Sequence, residues 1–345
     1  MERYSRFPSS EMTISSRDAS TTSGKYGNGA FSVNFSNNDK LHNALGVLPL
    51  HAHFTNLFGN INEYNDTFHI INYGNGPGTN SSGEIGGSTT SASITLMMDL
   101  SGNFRSSLSC GPMTHTQVTG DNLATTLNLS RAGVTHTGVP EFQFVNNKFT
   151  IRYASTNYSS FMRIVATSDF FDLIGWRGTT FDPVNSTLIP NKITFPAVAE
   201  SALLVSRLPK ITNVVYQYVD IPNQNQLNAD GSVTTHDARV GPNLVNLSGT
   251  QFVNILSEEI AAGNHITPHG VYSGLLRIPL HDTVYGNSTT NTHINNMSQV
   301  IDLNGKKDLK EHHIRIVDEK YRPLVYPSNY HLDVKVKIFY DDTML

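Results

Sequence analysis

The stretch HLDVKVKIFY, residues 331–340, decides the fold class. Leu332, Val334, Val336, Ile338 and Tyr340 recur at every second position, and Asp333, Lys335 and Lys337 fill the places between them. Successive side chains of a β-strand point to opposite faces, so this run packs one side against a core and leaves the other wet. A slip of one residue would bury both lysines, so the register is strongly specified.

The same period recurs on either side of that strand. It predicts strands at Glu311 to Val317, Phe252 to Leu256, Asn243 to Leu247, Thr212 to Val219, Phe161 to Val165 and Ala92 to Leu100, and from Phe31 through Val33 and Phe35. EFQFVNNKFTIRYAS, residues 141–155, alternates before and after Asn146-Asn147 and reads as a hairpin, because Asn tolerates the positive φ of a tight two-residue turn. Helix is confined to short pieces. GDNLATTLNLSRAG, residues 120–133, is expected to be capped by Asp121 or Asn122, with Leu123, Leu127 and a third candidate, Leu129, facing inward. SDFFDLIGW, residues 168–176, reads as one capped turn closed by Gly175. Tyr73 to Ser91 and Tyr285 to Asn296 are too polar to pack and are expected to be exposed loops. Residues 1–29 are rich in Ser, Thr, Arg and Gly without apolar periodicity. They read as a flexible N-terminal arm, either mobile or ordered on a neighbouring subunit, whose loss should leave the domains' stability nearly unchanged.

A chain of 345 residues exceeds the roughly 250–300 that one core supports, so two domains are expected, meeting between Lys192 and Thr212. With no short-period repeat, the architectures left are sandwiches and jelly rolls. Charged residues are only 15% and the net charge is −4, which gives no basic excess for a nucleic-acid backbone, so no direct nucleic-acid partner is expected. The single Cys110 excludes a disulfide framework within one chain. No run reaches the roughly 18 apolar residues of a membrane span, and MERYSRFPSS carries charges where a secretory signal needs apolar residues. The expectation is a soluble protein made inside a cell. The Asn-X-Ser/Thr sequons, among them Asn34, Asn65, Asn80, Asn128, Asn157, Asn185, Asn246 and Asn287, are then chance products of an Asn-, Ser- and Thr-rich composition.

Several segments, in order, resemble the jelly-roll capsid proteins of large icosahedral DNA viruses, virophages and polinton-like viruses. LPLHAHFTNLFGNINEYNDTFHI, residues 48–70, is similar to the family's opening strand pair with an Asn-rich bend. NLATTLNL, the FQFVNNKFTIRY hairpin and SDFFDLIGW follow its sequence of short helix, hairpin and Leu-Ile-Gly-aromatic element. GPNLVNLSGTQFVNILSEEI, residues 241–260, and HHIRIVDEKYRPLVYPSNYHLDVKVKIFY, residues 312–340, resemble its Ser-Gly turn and its closing β-pair. The resemblance implies an all-β tandem β-sandwich, a double jelly roll, with residues 30–205 as the first jelly-roll domain and 206–345 as the second. It further implies an oligomeric, non-enzymatic structural subunit of a double-stranded DNA virus capsid. Such a subunit contacts copies of itself and the major capsid protein and resides in the virion. The chain is shorter than the family's major shell proteins, which points to a minor capsid or penton (vertex) protein.

Candidate chemistry is sparse. His51 and His53 would share a strand face, but no third metal ligand lies nearby in sequence. His265, His269, His312 and His313 suggest at most a pH-sensitive contact between subunits. YGNGPGT, residues 73–79, lacks the helix that a phosphate-cradling loop requires, Ser109-Cys110-Gly111 has no paired base, and Glu258-Glu259 and Asp341-Asp342 read as solvated charge. No catalytic, cofactor-binding or metal-binding residue is therefore assigned. The alternative to a capsid subunit is a β-sandwich carbohydrate- or receptor-binding module, with Trp176, Tyr and Asn side chains on loops engaging sugar rings.

Overall fold

The computed structural model describes residues 4–35, 41, 43–73, 92–99, 104–110, 113–130, 140–153, 161–181, 192–193, 216–222, 224–227, 233–235, 237–261, 265–267, 270–280, 283–291 and 300–341. The chain opens with β1 (Ser9–Ser15), a 3-10 turn at Ser16–Asp18, β2 (Thr21–Ser23), β3 (Gly27–Asn34) and β4 (Ala44–Thr55). Next come β5 (Phe68–Tyr73), β6 (Ala92–Asp99), β7 (Phe104–Cys110), α1 (Gly120–Ser130), β8 (Glu141–Val145), β9 (Lys148–Arg152), β10 (Phe161–Thr167) and α2 (Ser168–Leu173). They are followed by β11 (Thr179–Phe181), β12 (Lys192–Ile193), β13 (Tyr216–Pro222), β14 (Asn225–Leu227), β15 (Val233–Thr235) and β16 (Arg239–Val240). The last part holds β17 (Phe252–Ser257), α3 (Glu258–Ala261), β18 (His265–Thr267), β19 (Gly270–Tyr272) and β20 (Gly274–Pro279). It closes with β21 (Ser288–Asn291), β22 (Ile301–Lys307), β23 (Glu311–Val317) and β24 (Asp333–Tyr340).

The all-β, antiparallel class read from the sequence is what the structure shows. The division of the chain is different. One compact unit combines Met1–Phe58 with Thr250–Leu345, and the other is Gly59–Gly249. The expected boundary between 205 and 206 falls inside the second unit. β12 on one side and β13 on the other both belong to its seven-stranded sheet, where β13 pairs with β10 along Phe161–Thr167. Periodicity reports strands but not which strand each one pairs with, so a Pro-punctuated stretch looked like a linker.

In the first unit, one sheet runs β1-β24-β4-β21 with β22 also on β4, and the other runs β2-β3-β23-β17-β20. The pairs are nested: β1 with β24, β3 with β23, β4 with β21 and β22, and β17 with β20, all antiparallel. A long antiparallel hairpin folded over on itself yields this order, which is that of a jelly roll. Among the described residues, the second unit runs β11-β13-β10-β5-β7-β6-β12 beside a β16-β9-β8 sheet without this nesting, so the all-β sandwich class is borne out and a second jelly roll is not established. The expected opening pair is also split, because β4 and β5 lie in different sheets. So is the closing pair, since β23 and β24 lie in the two opposite sheets of the first unit.

The alternation of residues 331–340 behaves as read. Leu332, Val334, Val336 and Ile338 are buried, together with Ile14 from β1, while Phe31, Val33, Ile314 and Ile316 are buried on the other sheet. Each such side chain contributes roughly 1.5–3 kcal/mol relative to exposure.

The N-terminal arm is part of this fold, contrary to expectation. β1 pairs with β24 from Ser9↔Phe339 to Ser15↔Asp333, and β2 pairs with β3, so residues 9–23 edge one sheet and then the other. Ser16 holds the crossing from both sides. Its N–H donates to the Leu332 carbonyl at 2.9 Å, and its hydroxyl accepts the Leu332 N–H at 3.0 Å. The weak periodicity was misleading because an edge strand needs few apolar residues. Met12 and Ile14 suffice here.

The second unit buries Phe68 against Phe170, with centroids 5.1 Å apart, and edge-on to Phe142 at 5.6 Å. The Asn146-Asn147 turn has φ of 52° and 59°, as the hairpin reading requires. α1 buries Leu123 and Leu127 but leaves Leu129 64% exposed. Thr119 receives the first helical bond, from the Leu123 N–H, so the cap is Thr119 and not the expected Asp121 or Asn122, which lie inside the helix. α2 is capped by Thr167, whose hydroxyl accepts the Phe170 N–H at 3.1 Å, and Gly175 follows it at φ 71°. Asn243–Leu247 is not a strand. Within the expected Tyr285–Asn296 loop, Ser288–Asn291 forms β21 on β4, and the loop's residues 292–296 lie outside the described residues, as do residues 74–91 of the other expected loop.

Removing residues 1–24 takes an edge strand from each sheet of the jelly roll, and calorimetry should therefore show a clearly lowered melting temperature. Ile14→Ala alone should cost about 2–5 kcal/mol in denaturant unfolding, as expected for a fully buried aliphatic side chain.

Candidate functional site

The polar residues that converge most closely lie on the jelly roll, around β23. Alternation along β23 buries His312, Ile314 and Ile316 and turns His313 and Arg315 outward. α3 follows β17 directly and brings Glu259 over this outward face. Glu259 accepts the backbone N–H of His313 at 3.1 Å and the Ser257 hydroxyl at 3.1 Å, and it pairs with the His313 ring Nδ1. Burial pushes the Glu259 carboxyl up, but the His313 ring and backbone bonds outweigh it and hold the group below the usual carboxylate range. The same bond raises the His313 ring pKa above that of a free imidazole, with Glu311 3.6 Å from Nε2 on its other side.

After β23 the chain turns through Asp318–Pro323. Asp318 accepts the N–H groups of Lys320 at 2.9 Å and Arg322 at 2.8 Å and the Arg322 Nε at 2.7 Å, in a buried ion pair. This brace holds Tyr321 at φ 60°, a left-handed conformation that costs a bulky L-residue about 1–2 kcal/mol. The Tyr321 ring stacks on Tyr272 of β19, with centroids 4.2 Å apart and planes 22° from parallel. Between these groups lies a cleft of about 260 Å³, lined by both tyrosines with Glu258, Ser273, His313 and Arg315 and by apolar side chains including Val271 and Pro323.

Directly behind the outward face, the His312 side chain is fully buried, and neither ring nitrogen has a hydrogen-bond partner among the described residues. The Phe35 ring meets it edge-on at 5.7 Å. Burial lowers its pKa to about 4, against the upward pull of Glu259 and the Leu309 backbone, with the His313 charge lowering it further.

Other residues weighed from the sequence fall elsewhere. His51 and His53 share the outward face of β4, opposite Lys335 and Asp333, and His53 Nδ1 lies 2.8 Å from the Thr290 hydroxyl. Among the described residues, no group of three potential ligands is placed to hold a metal. His265 lies in β18, Cys110 ends β7, and His269 and Asp342 lie outside the described residues. Trp176 is not a loop side chain open to sugars. It is 5% exposed and its Nε1–H donates to the Phe149 carbonyl at 3.3 Å. Glu259 is not solvated charge, as noted above. A Glu pair opening a helix in front of a His-His strand was the available signal, but it depended on knowing that residues 259 and 313 meet.

Fold and cleft together define an all-β protein in which a jelly-roll unit, built from both ends of the chain, carries a second β unit in the connection between β4 and β17. No protein-family model matches the sequence, and no curated protein does. Among solved structures, the chain is similar to the selenomethionine-labelled mavirus penton protein, at 10% identity and a TM-score of 0.37, over 97% of this chain and 100% of that one. Among the described residues, no helix is long and apolar enough to cross a membrane.

His312 makes the fold sensitive to acid. Its folded pKa lies below the unfolded value of 6.5, so the unfolded state binds more protons between those values. Stability should therefore fall as pH drops from about 6.5 toward 4, by an amount on the order of 3 kcal/mol. Glu259 adds a second loss below the ordinary carboxylate range, while the small gain from the exposed His313 pair comes as pH falls toward 6.5 and is complete below it. Unfolding curves for His312→Leu should be markedly flatter between pH 4 and 6.5 than those of the parent chain.

Proposed function

We propose that this chain is a structural subunit of the icosahedral capsid of a double-stranded DNA virus, serving as a minor capsid or penton protein. The proposal assigns it no reaction. What carries the reading is the outward face of the β1-β24-β4-β21 sheet. In a free-standing sandwich such a face is polar. Here Tyr4, Leu48 and Phe339 form a separate apolar cluster on it, and Phe7, Leu45, Leu50 and Val300 pack around them while remaining partly exposed. Tyr4 lies 5.4 Å from the Phe339 ring, and it sits so close to Gly46 that a Cβ there would come within 2.7 Å of its ring. Irregularities in β4 opposite Lys335/Val336 and Phe339/Tyr340 add residues to the strand near Leu50 and Leu45 and help turn them toward this cluster.

The partly exposed rim of this cluster, Phe7, Leu45, Leu50 and Val300, is the surface that the proposal assigns to contact. Its proposed occupant is a neighbouring capsid subunit, in keeping with the order of capsid-like segments along the sequence. Two of those segments, 48–70 and 312–340, meet in the structure, where β4 and β24 are hydrogen-bonded neighbours. The sheet then serves as a wall, and assembly is a matter of complementary faces.

Leu50→Asp combined with Val300→Asp should lower the melting temperature but leave a cooperative transition, since both side chains are only partly buried against the cluster. The double variant should abolish the oligomer seen by native mass measurement and the protein's incorporation into particles. A parent chain that stays monomeric and is absent from purified particles would sink the proposal.

A further inference from the structure

We propose that the cleft bounded by α3, β19, β23 and the Asp318–Pro323 turn binds one neutral pyranose ring of a glycan. The site does not depend on the capsid assignment, and nothing in that role uses it. Its volume of about 260 Å³ falls just below the range of pockets that enclose larger organic ligands, so it suits a single ring.

The chemistry of the lining fits a sugar. A pyranose has an apolar C–H face and a rim of hydroxyls, each both donor and acceptor. Tyr272 and Tyr321 stack on each other and both line the cleft, so the sugar's apolar face would lie on the outer surface of one ring, which the other backs. Arg315 supplies a planar fork of N–H donors and Glu258 a pair of acceptor oxygens, and both line the cleft. Both are exposed on the surface, and neither is in an ion pair among the described residues.

Charge narrows the ligand to a neutral one. The His313 charge is spent on Glu259 and Glu311, and the lining that holds the Arg315 cation also holds the Glu258 carboxylate. The lining thus offers no surplus cation for an acidic sugar.

The backbone gives independent support. Tyr321 occupies a left-handed conformation that few bulky residues adopt, held there by a buried ion pair. Strain of this sort persists where the surrounding structure over-determines it, and it clusters at binding sites. Here its result is to set one ring of the aromatic wall.

The test is a titration of the full-length chain with the methyl glycosides of glucose, galactose, mannose and N-acetylglucosamine, with glucuronic acid as the acidic counterpart. Binding is read by ligand-observed NMR and tyrosine fluorescence. At least one neutral glycoside should bind in the millimolar range, and Tyr272→Ala and Arg315→Gln should each weaken it by roughly tenfold or more, equivalent to about 1.4 kcal/mol. Arg315→Gln changes an exposed side chain and should melt like the parent, so it tests the site even if Tyr272→Ala unsettles its hairpin. The proposal is overturned if no neutral glycoside binds at tens of millimolar, if binding survives Arg315→Gln, or if glucuronic acid binds more than about tenfold tighter than glucoside.

Discussion

The jelly roll depends on β24 being hydrogen-bonded on both sides, to β1 from near the start of the chain and to β4. The outermost nested pair closes the sandwich by joining segments more than 300 residues apart in sequence, as the Ser10 to Tyr340 hydroxyl contact does at one edge. Loop-closure entropy rises only slowly with length, so such a long connection costs little more than a moderate one. The pairing is repaid by a strand whose inward side chains are all buried. Without β24 the sheet would lose its central strand, and β1 would have nothing to pair with.

The same economy explains how a whole β unit can sit between β4 and β17. A jelly roll needs its nested pairs in register but makes little demand on the connection between two of them. Gly59–Gly249 therefore forms its own core of Phe68, Phe142, Phe170 and their neighbours while the flanking strands still pair. Insertions succeed at exposed connections for this reason.

β23 concentrates the polar features of the jelly roll because a single alternating strand separates them onto two faces. Its inward His312 lies in an apolar core with no bonding partner among the described residues, while its outward His313 is tied to Glu259 one residue later. Two adjacent histidines thus have opposite pKa shifts, set by burial for one and by a carboxylate partner for the other. The turn that follows carries the other costly feature, a left-handed tyrosine secured by the Asp318–Arg322 pair. Removing one partner of a buried pair leaves an uncompensated charge, so neither Asp318 nor Arg322 can be replaced singly without a large loss of stability.

By itself, the sequence determined much of what is set by neighbours within a few residues, though not the α1 cap or the course of Asn243–Leu247. The alternation of 331–340 placed Val334, Val336 and Ile338 in the core, Asn146-Asn147 specified a hairpin turn, and Thr167 with Gly175 bounded α2. These follow from side-chain direction, positive φ and capping, which are local properties. Tertiary structure alone decided the division into units, the place of the first 29 residues in the sheets, the burial of Trp176 and the meeting of Glu259 with His313. Each of these rests on pairing between distant segments. A strand's period of two reports that it will pair and which face it will bury, but it does not say with which partner, because the backbone groups that bond one strand to another are the same in every residue except proline.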